Sequence, residues 1–178
     1  FLTTMCKIIR YIFFATYILF TQVALSSENI YYIDMKIVMN TSLAGKSILS
    51  QLDKIDKFNK DSFKKTEALL KKEETKIISQ KNILEKNEFD QKINLLKKKI
   101  LEYQKERTDK KNDFTRKRNE AQSLLTKKLT PIISSYAQEN SISYILTKQS
   151  IIIAKTELDL TNKIISILND KLKTIEIK

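Results

Sequence analysis

The chain of 178 residues suggests a single domain on length alone, and 33 Lys and Arg against 21 Asp and Glu give it a formal net charge of +12. It contains no His, which excludes imidazole bases and His metal ligands, so we predict neither an enzyme nor a bound cofactor. One Gly and one Pro disfavour many tight turns and favour long, uninterrupted helices.

Residues 1–26 have the layout of a secretory signal peptide. Met5, a candidate start residue, is followed by the basic residues Lys7 and Arg10, an apolar stretch at 11–20 and small residues at 24–26. The alternative is an uncleaved anchor, but the apolar stretch is shorter than the ~20 residues that a bilayer requires. We therefore expect cleavage and export, which would also remove Cys6 and leave a mature chain without cysteine.

Residues 27–51 are expected to form the first part of a small globular body. The β-branched and aromatic run Ile30–Ile33 predicts a strand. Residues 36–51 predict a helix with an apolar side, and Gly45 is expected to interrupt or bend it.

Residues 52–130 predict a basic helical arm. They hold 23 Lys and Arg against 14 Asp and Glu, a net of +9, so this segment should attract anionic partners. Phe63, Leu70, Ile77 and Leu84 are spaced by seven, with polar residues at the seam positions between them. A fuller heptad seam follows: Phe89, Ile93, Leu96, Ile100, Tyr103, Arg107, Lys110, Phe114, Lys117, Ala121 and Leu124.

The two seams fit either one helix of roughly 120 Å or an antiparallel pair of helices of roughly 50–60 Å each. The heptad frame shifts within residues 84–90, so we place the turn there, with Asn87 as the favoured turn residue.

Three basic residues, Arg107, Lys110 and Lys117, stand in the second seam. Burying an unpaired charge is costly, so either these side chains reach out to solvent or the helices splay apart. The arm is thus either an ordinary coiled coil with imperfect heptads or a loose pair of helices with apolar patches on a basic background.

Residues 131–178 are expected to complete the body. Pro131 should end or bend the returning helix, with a further helical turn or two at 132–138. Alternation at 142–146 and the apolar run 151–154 predict a β-hairpin around the turn TKQS. Thr161 is predicted to cap a final helix that has Ile164, Ile165, Leu168 and Leu172 on one face.

The order of these segments resembles the Skp/OmpH family of periplasmic chaperones. The most specific piece is LDLTNKIISILN at 158–169, preceded by a strand-turn-strand pattern, and the IYYIDM strand and the segment NILEKNEFDQKINLLKKKILEYQKER also match. In that family an Asp-apolar-Thr sequence precedes a helix that ends in Leu-Asn. Its counterparts here are Asp159, Leu160, Thr161, Leu168 and Asn169.

The resemblance implies a mostly helical α+β fold: a small β-rich oligomerisation body with a long antiparallel helical-hairpin, coiled-coil arm inserted in it. It also implies a homotrimer whose bodies join into a base from which three arms extend. A body of about seventy residues without disulfides is marginally stable alone, which independently favours self-association. The edges of Ile30–Ile33 and of 151–154 could pair between subunits.

The resemblance further implies a periplasmic, ATP-independent holdase that binds unfolded outer-membrane proteins. Apolar arm residues are the candidate client contacts, with packing between the helices as their alternative role: Leu70, Ile77, Leu84, Phe89, Ile93, Leu96 and Ile100. Lysines near the arm tip are candidates for attracting acidic clients or anionic lipid and lipopolysaccharide surfaces, with a solvated face as the alternative: Lys81, Lys86, Lys92, Lys97, Lys98 and Lys99.

The rival interpretation is an exported structural or adaptor coiled coil that binds one folded partner of the cell envelope. Export makes nucleic acid the least favoured anionic partner.

Overall fold

The structure, a computed structural model, describes residues 30–177. In chain order it comprises strand β1 (Ile30–Ile33), helices α1 (Met35–Thr41), α2 (Leu43–Ser79) and α3 (Lys86–Glu139), strand β2 (Tyr144–Thr147), 3₁₀ turns at Lys148–Ser150 and Thr156–Leu158, and helix α4 (Thr161–Lys171). The predicted class, mostly helical with a small sheet, is confirmed. The predicted signal peptide at residues 1–26 lies outside the described residues, and none of the helices within 30–177 has the length and hydropathy needed to cross a membrane.

The sheet joins the two ends of the described chain. Strand β1 occupies the predicted residues, and it pairs in parallel with β2, Ile30 opposite Tyr144 and Ile33 opposite Thr147. The predicted hairpin of 142–146 with 151–154 is therefore wrong. β2 pairs with β1 instead, the segment after β2 forms a 3₁₀ turn, and residues 151–154 are not in a strand.

The helix predicted at 36–51 is broken at Ser42 rather than bent at Gly45. Ser42 is buried in an extended conformation, and its hydroxyl accepts a hydrogen bond of 3.0 Å from the backbone N–H of Gly45, which caps α2. A Cβ at Gly45 would lie 2.1 Å from the carbonyl oxygen of Met39. Glycine is thus required by the close approach of α1 to the start of α2.

The core lies where the roots of α2 and α3 meet α1, α4 and β1. Its fully buried side chains include Ile48, Leu125, Leu129, Ile164 and Leu168. Pro131 does not end α3, which continues to Glu139 and so includes the helical turns predicted at 132–138.

Three side chains of the segment 158–169 form hydrogen bonds within the body. Asp159 accepts a hydrogen bond from the backbone N–H of Thr161 at 2.8 Å. Thr161 is the first residue of α4 rather than its cap, because its buried hydroxyl instead accepts the backbone N–H of Asp34 at 2.8 Å. Asn169 accepts the N–H of Leu43 at 2.8 Å, at the start of α2. These residues therefore connect α4 to both ends of α1.

Candidate functional site

The outer part of α2 and α3 forms the candidate site, and residues 80–85 join the two helices. The backbone N–H groups of Ile83 and Leu84 both donate to the carbonyl oxygen of Gln80 at 3.0 Å, which tightens the end of α2. The turn overlaps the predicted position at 84–90 only in its last two residues. The choice of Asn87 as the favoured turn residue is wrong, because Asn87 lies in the first turn of α3. Because the turn ends at residue 85, Phe89 lies in α3, where its side chain is half-buried.

Polar pairs show that α2 and α3 run in opposite directions. Lys92 donates to Gln80 at 3.4 Å, Lys99 to Glu73 at 2.6 Å, and Arg107 to Glu67 at 3.2 Å. Residue numbers rise along α3 as they fall along α2, so the helices lie antiparallel in a common register.

The middle of the arm is held by a cluster that we call the clasp: Phe63, Glu67, Tyr103 and Arg107. The Tyr103 hydroxyl donates to Glu67 at 2.6 Å, and its ring meets Phe63 edge to face at a centroid distance of 6.2 Å. The Arg107 guanidinium lies 5.9 Å from the centre of the Phe63 ring, a cation–π arrangement. Burial raises the pKa of the Tyr103 phenol, and the hydrogen bond to Glu67 raises it further.

The basic seam residues stay accessible. Arg107 and Lys110 are exposed and Lys117 is half-buried. Within the described chain α2 buries no side chain between Leu52 and Ile77, and α3 buries none between Leu96 and Ala121. The middle of the arm therefore depends on the clasp and on partly buried contacts.

The seven predicted client-contact residues all lie at the interface between α2 and α3 or in the turn. Ile77 and Leu96 are buried, and the other five are half-buried: Leu70, Leu84, Phe89, Ile93 and Ile100. Packing between the helices thus occupies much of their surface. Their contact with clients stays a prediction.

Sequence reasoning missed the apolar side chains that the arm exposes. Within the outer arm these large exposed residues are Leu69, Ile78, Ile83, Leu95 and Leu101. All five stand one residue before or after a seam position. For the four that lie on α2 or α3, this places the side chain about 100° around the helix from the interface. An apolar residue directly beside a seam residue in an otherwise charged helix was the signal available in the sequence.

The six predicted lysines differ in their surroundings. Lys81, Lys86 and Lys97 are exposed, and Lys98 is exposed 4.0 Å from Glu102. Lys92 and Lys99 are half-buried: Lys92 pairs with Glu88 at 3.1 Å, whereas Lys99 pairs with Glu73 across the helices. Four of the six are thus solvated, while two help to hold the arm.

Leu69 and Leu95 line an open groove of about 640 Å³ between the helices near the tip, together with Lys72, Glu73, Lys76, Ile77, Gln80 and Lys92. Residues 30–177 hold no group of three or more His, Cys, Asp or Glu arranged to bind a metal ion. The arrangement provides apolar contact and positive charge on an accessible surface.

Comparison with known proteins identifies one matching family and a similar solved structure. The family model described as Outer membrane protein (OmpH-like) matches residues 29–168. Among solved structures, the chain is similar to a candidate outer membrane chaperone (OmpH-like) from Caulobacter crescentus CB15, with a TM-score of 0.76 and 17% identity over 85% of this chain and 89% of that one. The comparison with curated proteins gave no match.

Proposed function

The chain belongs to the OmpH-like family, and we propose that it is an ATP-independent holdase that binds unfolded outer-membrane proteins along its arm. The family supports a chaperone-like role and is not a family of enzymes. The observation that carries the finer proposal is the exposure of large apolar side chains on the outer arm, beside a groove rimmed by lysines.

A holdase needs only to bind the unfolded chain and lower its free concentration. Exposed apolar side chains supply contact with the segments that an unfolded membrane protein displays. The surrounding lysines supply attraction over roughly a Debye length, about 8 Å at physiological ionic strength. Neither interaction requires nucleotide.

We also propose that the protein acts in the periplasm after cleavage of the signal peptide, as a homotrimer. Ile152 and Ile153 are almost completely exposed in the described chain, although only the 3₁₀ turn and Ile151 separate them from β2. The sheet has only two strands within residues 30–177. The outer edge of β1 forms a single bridge there, between Tyr32 and Asp159, so most of both edges is free to pair. Association of bodies through these segments would cover apolar surface and complete the sheet.

The contribution of the seven interface residues, from Leu70 to Ile100, is a separate part of the proposal. Because none of them is exposed, they would touch a client fully only where α2 and α3 separate. A cross-link that joins the two helices should then reduce client binding if these residues contribute, and should leave it intact if only exposed residues do.

The test uses residues 27–178, first sized by light scattering in moderate salt and then mixed with a urea-denatured β-barrel membrane protein as the urea is diluted. We expect a trimer that suppresses light scattering from aggregates near one trimer per client, without nucleotide. An equal mass of serum albumin is the control. Failure to suppress aggregation at any ratio would refute the proposed function. Capture of one folded envelope protein, without activity toward unfolded chains, would favour an adaptor coiled coil.

A further inference from the structure

We propose that the lysine-rimmed groove on one face of the arm is the client-binding site, and that it selects extended acidic segments with apolar residues at positions i and i+4. This inference rests on the proposed holdase function and narrows it to one face and one sequence pattern.

One residue of the groove lining, Glu73, belongs to an ion pair between the helices. Glu73 and Lys99 meet across the helices at 2.6 Å, and the apolar side chains of Leu69 and Leu95 line the same groove. These two leucines are 68% and 53% exposed, so they offer contact area that the arm itself does not use. They are the two exposed apolar residues of the groove.

The register of the helices fixes the spacing of the leucines. Leu69 precedes Glu73 by four residues, and Leu95 precedes Lys99 by four. Because the helices are antiparallel, the leucines lie on opposite sides of the ion pair, each about 6 Å away along the arm at 1.5 Å per residue. They are therefore about 12 Å apart along the axis.

An extended polypeptide matches this spacing. At about 3.3 Å per residue, positions i and i+4 are about 13 Å apart. Even-numbered spacing also places both side chains on the same side of the extended chain. Strands that form membrane barrels alternate apolar and polar residues, so they carry this pattern repeatedly.

The charge of the groove selects acidic segments. Lys72, Lys76 and Lys92 line it, and its one carboxylate, Glu73, is paired with Lys99. Lys92 is itself paired with Glu88 at 3.1 Å, so the excess positive charge comes from Lys72 and Lys76. A segment with Asp or Glu beside its apolar residues would be attracted, and a basic segment would be repelled.

The Glu73–Lys99 pair between the two leucines favours a polypeptide over a lipid as the molecule that binds in the groove. An acyl chain is continuously apolar, so spanning both leucines would lay it across the Glu73–Lys99 pair and remove water from two charges. A polypeptide places the side chains of i and i+4 on either side of the pair. Its residue at i+2 points to the same side, so a small or polar side chain there would lie over the charges and leave them hydrated.

The opposite flank of the arm provides a matched control. Ile78 follows Ile77 and Leu101 follows Ile100, whereas Leu69 and Leu95 precede the seam residues Leu70 and Leu96, so the two sets lie on opposite sides of the interface. Ile78 and Leu101 are 58% and 65% exposed, close to the values for the groove leucines.

The experiment compares two double variants of residues 27–178, L69S/L95S and I78S/L101S, in client titration and aggregation assays. We expect the groove pair to weaken client binding at least about tenfold, and the opposite pair less than about threefold. Circular dichroism checks that both retain their helices. Equal effects of the two pairs, or no effect of the groove pair, would overturn the inference.

A labelled peptide tests the pattern separately from the aggregation assay. The probe carries Leu at i and i+4 among Asp and Ser residues, and the controls carry Lys in place of Asp or shift the second Leu to i+3. We expect each control to bind at least about tenfold more weakly to the wild-type protein and the preference to disappear in L69S/L95S. Equal binding of all three peptides would refute selection by the groove even if the aggregation assay succeeds.

Vesicles of phosphatidylglycerol test the lipid as occupant. Loss of vesicle binding in L69S/L95S, with client binding unchanged, would assign the groove to lipid and overturn the inference. If wild-type protein binds the peptide with the expected selectivity but never suppresses aggregation, the holdase proposal fails while the peptide site stands.

Discussion

Substitution of Asp34 should separate the contributions of a helix cap and an ion pair to the stability of the body. Asp34 lies between β1 and α1, where its carboxylate accepts the backbone N–H groups of Lys36 at 2.9 Å and Ile37 at 3.1 Å. Its second oxygen lies 3.3 Å from the Lys148 ammonium, and its own N–H donates to Thr161. One residue thus connects β1, α1, the turn after β2, and α4.

The magnitudes follow from these contacts. Loss of the cap in Asp34→Ala should cost about 1 kcal/mol, within a range of roughly 0.5–2. The ion pair with Lys148 is half exposed on the lysine side and should add about 0.5 kcal/mol. Asp34→Asn keeps an effective cap and loses only the charge, so it should cost about 0.5 kcal/mol, against about 1.5 kcal/mol for Asp34→Ala.

The pH dependence has a defined sign. Burial acts to raise the pKa of Asp34, but the hydrogen bonds from Ile37, Lys148 and Lys36 together outweigh it, and the pKa is lowered from 3.8. The carboxylate therefore contributes stability that is present above pH 3.8 and is lost as pH falls through the folded-state pKa. The difference between wild type and Asp34→Asn should shrink over that acid range.

Urea unfolding followed by circular dichroism measures these differences, at one fixed protein concentration because self-association makes stability concentration-dependent. An Asn variant as unstable as the Ala variant at neutral pH would show that the cap is not the source of the loss. An Ala variant as stable as wild type would refute the role of Asp34 altogether.

Three further predictions concern the core, α4 and the clasp. Ile164→Ala should lower the free energy of unfolding by about 2–5 kcal/mol because the side chain is fully buried; a loss below that of Ile164→Val in urea unfolding would contradict this. Asn169→Ala should cost about 1 kcal/mol through loss of the bond to Leu43, whereas Asn169→Asp keeps the acceptor and should be nearly neutral, and equal losses would disprove the capping role. Since the pKa of Tyr103 is raised from 10.0, its contribution is complete below pH 10.0 and is lost as pH rises through the folded-state pKa. Urea unfolding of Tyr103→Phe at neutral and alkaline pH should then show a smaller alkaline loss than wild type, and identical losses would contradict the assignment.

The sequence predicted the elements that are specified locally. The run Ile30–Ile33 was placed correctly as a strand, and seven-residue spacing correctly located side chains such as Ile77 and Leu96 at a helix interface. These signals depend on residues close together in the chain. Client contact by the seam residues was not tested by the structure and stays a prediction.

The errors arose where a distant contact decides the local conformation. The alternation at 142–146 fits a local hairpin, but β2 takes β1 as its partner from far earlier in the chain. Thr161 is a suitable cap by residue type, yet its hydroxyl is already used by Asp34. The effect of Gly45 also depends on Met39 lying against it, which periodicity does not reveal.

The candidate site was located in the arm but not on its surface. Apolar residues at regular spacing indicate an interface between helices. Side chains buried in that interface have little accessible surface left for contact with a client. The accessible area comes from residues such as Leu69 and Leu95, which interrupt the pattern. Their significance depends on the register between the helices, which is visible only in pairs such as Glu73 with Lys99.

The position of the arm between β1 and β2 governs the order in which the chain can fold. The two strands are remote in sequence, so pairing them directly would require closure of a very long loop. If α2 packs onto α3 progressively from the turn at residues 80–85, many short closures replace that single long one, and each brings the ends of the chain nearer. We therefore expect a defect at the tip to slow the formation of a sheet that lies at the other end of the molecule.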